Sequence, residues 1–272
     1  MEPFHDIVKK QNRLRDIFRG YKRVSIAFSG GVDSALLLHE AVETLGRENV
    51  LAITARSAAF PESETNAAEK LCKDMGADQI LFDADVMSVK EFRENSKDRC
   101  YHCKKGIFKK IEAIAKERGF IIVADGTNAD DEGDYRPGLK ALDELGIKSP
   151  LKEAGLSKAE IRHLSKEAGL STWNKPSLAC LASRIPYGEK IDEKKLKLAG
   201  DAEEILHDMG FGQVRVRIHG DIARIETLKD DIKRLTEEEM RIKISSGLKK
   251  LGFTYVAIDL DGYRSGSLNE AL

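Results

Sequence analysis

Three sets of residues in this chain have the types and spacing to do chemistry. They are the string Ser29-Gly-Gly-Val-Asp-Ser34, the cysteines Cys100, Cys103 and Cys180, and the arginines Arg184, Arg215 and Arg217. The string follows a short apolar run from Ser25, a buried-strand signal, and precedes the helical pattern Leu36, Leu37, Leu38, Ala41, Val42, Leu45. A strand that turns through two glycines into a helix leaves backbone N–H groups pointing outward at the positive end of the helix dipole. That is a site for a phosphate-type anion. Gly30 and Gly31 allow unusual dihedrals and a close approach of the anion, and Ser29 and Ser34 add hydroxyl donors. Asp33 would repel phosphates unless a cation stood between, so it reads as a helper for Mg²⁺. The bland alternative is a tight turn with Ser34 near a cap position. The Walker lysine pattern is absent.

Cys100-x-x-Cys103 by itself is half a zinc site, a redox pair or two chance thiols. Cys180 lies far along the chain in an irregular stretch, from Trp173 to Gly188, held between Pro176 and Pro186. Three thiolates without an obvious fourth ligand suit a [4Fe–4S] cluster with one iron left open. Zinc would want a fourth ligand, and His102 between the pair is poorly placed to share one ion with both. Three unconnected cysteines are the alternative. Arg215 and Arg217 alternate along a strand pattern, so both project to one face, and with Arg184 they form a candidate phosphate pocket. The rival reading is a solvated strand face with Arg184 unrelated. Cys72 lies on the apolar face of a helical pattern and reads as a small buried hydrophobe. Asp125, Asp130 and Asp131 read as loop solvation or turn formers rather than metal ligands.

The elements that must position these residues follow from periodicity. A helix opens the chain and ends near Gly20. Strands follow at the run before Ser29, at Val50–Thr54, at Gln79–Phe82 and, fully buried, at Phe120–Ala124, with helices from Pro61 to Gly76 and from Lys104 to Arg118 between them. Such alternation predicts an α/β fold with a doubly wound parallel sheet, binding ligands at the carboxyl edge of its strands. Ser157 with Glu160 forms a capping box for the next helix. After Gly188 the pattern changes to a helix, the strand pattern Gln213–His219, a strand at Ile222–Thr227, a helix and a last strand. We therefore expect a domain over 1–188 and a smaller C-terminal α+β module over 189–272. The 272 residues carry a net charge of −1, with 41% hydrophobic and 33% charged residues. That balance does not suggest a nucleic-acid partner. The charged N-terminus and the lack of a long apolar run predict a cytoplasmic protein with no membrane partner. Structural disulfides are unexpected there.

Together, the Ser29–Ser34 string, Arg99-Cys-Tyr-His-Cys-Lys104, Gly126-Thr127-Asn128, and Lys175-Pro-Ser-Leu-Ala-Cys-Leu-Ala-Ser-Arg-Ile-Pro-Tyr-Gly188 resemble the LarE family. The first string resembles the PP-loop of the ATP pyrophosphatases, whose adenine nucleotide α-hydrolase-like fold the resemblance implies for the first domain. The likeness covers most of the chain, including the Arg-Val-Arg strand of the tail. It implies an ATP- and Mg²⁺-dependent sulfur transferase acting on a small-molecule nucleotide, pyridinium-3,5-biscarboxylic acid mononucleotide. A carboxylate would be adenylated and then converted to a thiocarboxylate. It also implies that Ala27, Ala55, Arg56, Gly126 and Thr127 line the adenosine site. Arg184, Arg215, Arg217 and Ser183 would hold the substrate phosphate, and Glu203 would be an active-site acid. One type within the family gives up the sulfur of a single cysteine. Another binds a [4Fe–4S] cluster through three, and Cys100, Cys103 and Cys180 resemble that type. A homo-oligomer is implied as well. A tRNA-thiolating relative, another adenylating amidotransferase or synthetase, and a non-enzymatic nucleotide-binding or zinc module are the competing readings.

Overall fold

A computed structural model describes residues 2–131, 137–176, 179–264 and 266–271. Within it the chain divides into two compact units. One comprises Met1–Ser57, Glu62–Ala84 and Cys100–Ser177; the other Ala58–Pro61, Asp85–Arg99 and Leu178–Leu272.

The first unit is built on four parallel strands, β1 (Val24–Ala27), β2 (Val50–Arg56), β3 (Asp78–Asp83) and β4 (Val123–Ala124), in the order β3-β2-β1-β4. Helix α1 (Glu2–Tyr21) opens the chain, α2 (Val32–Leu45) links β1 to β2, and α3 (Glu62–Asp74) links β2 to β3. The short α4 (Lys90–Arg93) belongs to the second unit, and α5 (Arg99–Glu117) leads to β4 on the far side of β1. Helices α6 (Pro137–Glu144), α7 (Pro150–Glu153) and α8 (Lys158–Glu167) follow. Alternate strand residues supply both faces, as the two-residue period requires. Val24, Ile26, Val50 and Ala52 pack with the buried faces of α1, α2 and α8. Leu51, Ile53 and Val123 pack with Phe108, Ile111 and Ala115 of α5 and Leu142 of α6. This is the doubly wound sheet that the alternation predicts.

Two sequence expectations change. Strand β4 is two residues long, because Phe120 and Val123 are buried whereas Ile121 is 95% exposed. It sits at the sheet edge, where one flank is met only by a single bridge from Ala124 to Lys148. Helix α5 starts at Arg99 rather than Lys104, so Cys100 and Cys103 are helical. No apolar period marks that first turn, and the signal lies instead in a turn before it, where Arg99 N donates to Ser96 O at 3.1 Å. The Ser157–Glu160 capping box is present at α8.

The second unit holds a three-stranded mixed sheet. Strands β5 (Val214–His219) and β6 (Ile222–Thr227) are antiparallel, and β7 (Tyr255–Ile258) runs parallel to β6. Around it lie α9 (Glu193–Asp208), α10 (Ile232–Thr236) and α11 (Glu238–Lys250). The stretch 178–188 groups with this unit, so the compact units part within the irregular loop, after Ser177. The physical reason is its bonding: Leu181 N donates to Ala59 O at 2.9 Å, and Arg184 pairs with Glu203 of α9. Among the described residues no helix is long and apolar enough to cross a membrane.

Candidate active site

The order β3-β2-β1-β4 reverses direction at β1. The connection through α2 leaves to one side and β4 lies on the other, so a crevice opens at the carboxyl ends of β1 and β4. Both loops singled out in the sequence end there. Gly30 has φ +71°, and a Cβ there would lie 2.8 Å from the Ala68 Cβ, so only glycine fits between the turn and α3. Helix α2 is capped at Gly31 by no side chain, which leaves its first-turn N–H groups to a ligand. Ser34 is therefore not a cap. Its Oγ donates to Gly31 O at 3.1 Å and lies 3.2 Å from Ser29 Oγ, so both hydroxyls brace the turn.

From the other side Gly126 closes on this turn: a Cβ there would come 3.0 Å from Ser34 N and 3.2 Å from Asp33 Cβ. The rest of that loop is held by its own acids. Asp125 accepts from Thr127 Oγ1 at 2.6 Å and Ser149 Oγ at 2.7 Å. Asp131 accepts from Asn128 N at 2.9 Å, and Asp130 from Lys158 N at 2.8 Å. Asp131 and Asp125 thus brace their own loop, while Asp130 and the second oxygen of Asp125 tie it to residues far along the chain. Ala27 and Ala55 stand half-buried at the ends of β1 and β2. Arg56 is exposed at the end of β2 and forks onto Asp83, with Nε to Oδ1 at 3.0 Å.

Asp33 lies in the first turn of α2, where Asn128 Nδ2 donates to it at 3.2 Å and the Lys158 ammonium pairs with it. Lys175 Nζ donates to Gly30 O at 3.2 Å and pairs with Glu64 at 2.6 Å. Both lysines thus stand beside the loop, each paired with a carboxylate. Sequence reading missed Lys158, although its place as the first helical residue, inside the Ser157–Glu160 capping box, was a usable signal.

Cys100 and Cys103 share a face of α5, being three residues apart on a helix. The turn is pinned outside them: Tyr101 Oη donates to Glu144 at 2.6 Å, and Lys105 Nζ bonds both partners. Cys100 is exposed and Cys103 half-buried. Cys180, also half-buried, belongs to the other unit. Among the described residues no three His, Cys, Asp or Glu side chains are gathered to hold a metal ion. Ser177 and Leu178 of the same loop lie outside the described residues. Cys72 is fully buried, and burial, aided by Asp78, pushes its thiol up to about 11. It is the small hydrophobe expected.

In the second unit the arginines are not on a solvated strand face. Arg184 is 1% exposed, Arg215 3% and Arg217 5%. Arg184 forks onto Glu203, with Nε to Oε1 at 2.8 Å and Nη2 to Oε2 at 2.7 Å, while its Nη1 donates to Ala179 O, Cys180 O and Ser183 Oγ. Glu203 Oε1 also accepts from Val216 N of β5 at 2.9 Å. One buried ion pair thus ties the turn that carries Cys180 to the sheet. Arg217 forks onto Glu226 at 2.8–2.9 Å and donates to Ser183 O. Burial, with the nearby Arg184 adding to it, pushes Arg215 down to about 10.

Comparison with known proteins completes the picture. The NAD synthase family model matches residues 7–125. An NH₃-dependent NAD⁺ synthetase of Methanococcoides burtonii is 42% identical over 71 residues, covering 26% of this chain and 27% of that one. A pyridinium-3,5-bisthiocarboxylic acid mononucleotide synthase of Lactiplantibacillus plantarum is 39% identical over 266 residues, 98% of this chain and 96% of that one. The chain belongs to the LarE family. An uncharacterised protein of Synechocystis sp. is equally similar, 39% identical over 263 residues, 97% of this chain and 98% of that one. The NAD synthase family model ends at residue 125, whereas the likeness to the LarE-type synthase runs along 98% of the chain.

Proposed function

We propose that the chain is an ATP-dependent sulfur transferase that adenylates a carboxylate of pyridinium-3,5-biscarboxylic acid mononucleotide and converts it to a thiocarboxylate. The observation that carries the reading is the match to the synthase along 98% of the chain. In the first step a substrate carboxylate oxygen attacks the α-phosphorus of ATP, and the bond to the bridging oxygen breaks. Pyrophosphate leaves against the open N–H groups after Gly31. The Lys158 and Lys175 ammonium groups stand beside this loop to offset its charge. In the second step sulfur attacks the carbonyl carbon, the bond to the AMP oxygen breaks, and AMP leaves.

Asp33, whose carboxylate here takes Asn128 Nδ2 and the Lys158 ammonium, would hold Mg²⁺ beside the substrate phosphates by exchanging that ammonium for the ion. There Mg²⁺ would neutralise the leaving pyrophosphate. Cys100, Cys103 and Cys180 are soft thiol donors of the kind a [4Fe–4S] cluster takes, and a cluster held by them would supply an open iron to carry the sulfur. Arg215 and Arg217, with Arg184 and Ser183, would receive the substrate phosphate. An anion there would offset the burial and mutual repulsion that depress Arg215. The same reading puts the protein in the cytoplasm as a homo-oligomer.

Anaerobic, iron-reconstituted protein given the substrate, ATP, Mg²⁺ and sulfide should form AMP, pyrophosphate and thiolated product, with a full cluster's iron in the wild type and less in Cys180→Ser. Failure to form AMP with that substrate would sink the function. Product without bound iron would remove the cluster and leave the function standing.

A further inference from the structure

The polar segment from Phe92 to Arg99 has no part in the chemistry above, yet it holds a buried residue in an unusual backbone conformation. Asn95 has φ +54°, one of two non-glycine residues at positive φ among the described residues, and is fully buried. Its Nδ2 donates to Ile185 O at 3.2 Å and to Pro186 O at 2.7 Å. Its own carbonyl accepts from Gly188 N at 3.4 Å. Two residues earlier, Arg93 O accepts from Ile191 N at 2.8 Å. Four residues later, the Arg99 guanidinium lies 4.3 Å over the Tyr187 ring. All of these contacts lie within the second unit.

The gripped stretch follows directly on the turn Leu181–Arg184, which is capped by Cys180. Irregular backbone at Ile185 and Pro186 offers carbonyls that no strand or helix satisfies, and a side chain must supply the donors. A single nitrogen meeting two carbonyls needs two N–H bonds and a short stem, and the backbone needs tolerance of positive φ. Asparagine meets all three conditions. Aspartate shares the shape and the φ tolerance but would turn oxygen toward both carbonyls. Strained backbone kept in this way points to a site that must be held still.

We propose that Asn95 is a positioning residue for the sulfur-transfer step, acting through residues 185–188 to hold the Cys180 turn in place. The proposal rests on the sulfur-transfer function above. The test compares full-length Asn95→Asp and Asn95→Gly with the wild type; the glycine variant accepts the φ and removes the side chain with its amide. Two half-reactions are followed at saturating substrate: pyrophosphate release and thiocarboxylate formation. Amide hydrogen exchange is read at Gly188 and Ile191. Thiocarboxylate formation should fall at least tenfold in both variants while pyrophosphate release stays within threefold, with exchange at least tenfold faster. A merely structural role would lower both half-reactions in proportion, and that result overturns the proposal. So does an Asn95→Gly variant that forms thiocarboxylate within twofold of the wild type. If the wild type performs neither half-reaction, the function fails separately. Exchange then decides: faster exchange in Asn95→Gly supports the clamp, and unchanged protection overturns it.

Discussion

Replacing Glu203 by glutamine tests whether the buried pair with Arg184 organises the Cys180 turn. Glu203 is 6% exposed and accepts three bonds, from Arg184 Nε, Arg184 Nη2 and Val216 N. The substitution keeps the shape but removes the charge and turns an NH₂ group toward a guanidinium or a backbone N–H. Breaking one side of a buried pair leaves the other charge uncompensated, a loss of about 3–5 kcal/mol. For a chain of this size each kcal/mol lowers Tm by about 2–4 °C, so the expected drop is about 6–20 °C. Thermal and urea unfolding of the full chain would measure it. Added salt should leave the drop unchanged, because a buried pair is little screened. Arg184→Met completes the test: combined with Glu203→Met it should be at least about 2 kcal/mol less destabilising than the sum of the two single changes. A Tm drop below about 2 °C for Glu203→Gln, or strict additivity in the cycle, would refute the argument. Glu203 would then act on substrate alone, and kcat would fall in a protein of normal stability.

Gly30→Ala combines a left-handed alanine with a Cβ at 2.8 Å from Ala68 Cβ, a cost of about 2–5 kcal/mol. ATP affinity by titration calorimetry should fall at least tenfold, whereas Gly20→Ala, where nothing lies within 4 Å of the added Cβ, should leave it unchanged. Cys72, with its thiol pushed up to about 11, ionises only above that pH. At pH 8 it carries about a hundredfold less thiolate than an ordinary thiol. Peptide mass spectrometry after iodoacetamide treatment of the native protein should therefore find the exposed Cys100 labelled and Cys72 spared; equal labelling would contradict the buried environment.

Much of the first unit was legible because its signals are local. A Gly-Gly turn between an apolar run and a helical period, and a Ser-x-x-Glu cap, each depend on a few neighbouring residues. The start of α5 was not legible, since Cys-Tyr-His-Cys has no apolar period and the turn is fastened instead by Glu144 from a distant helix. The length of β4 was not legible either. Phe120 to Ala124 is apolar throughout, and only its place at the sheet edge leaves Ile121 in water.

From sequence alone came the kinds of chemistry: a phosphate loop without a Walker lysine, three thiols of the right type, and arginines on alternate strand positions. Those are properties of residue identity and short-range spacing. Tertiary structure decided what each charged group does. Glu203 became the partner of Arg184, Lys158 the partner of Asp33, and Asn95 the donor to two loop carbonyls. The energy of a charge or an amide is set by burial and by the groups packed against it, and those come from stretches that folding alone brings together.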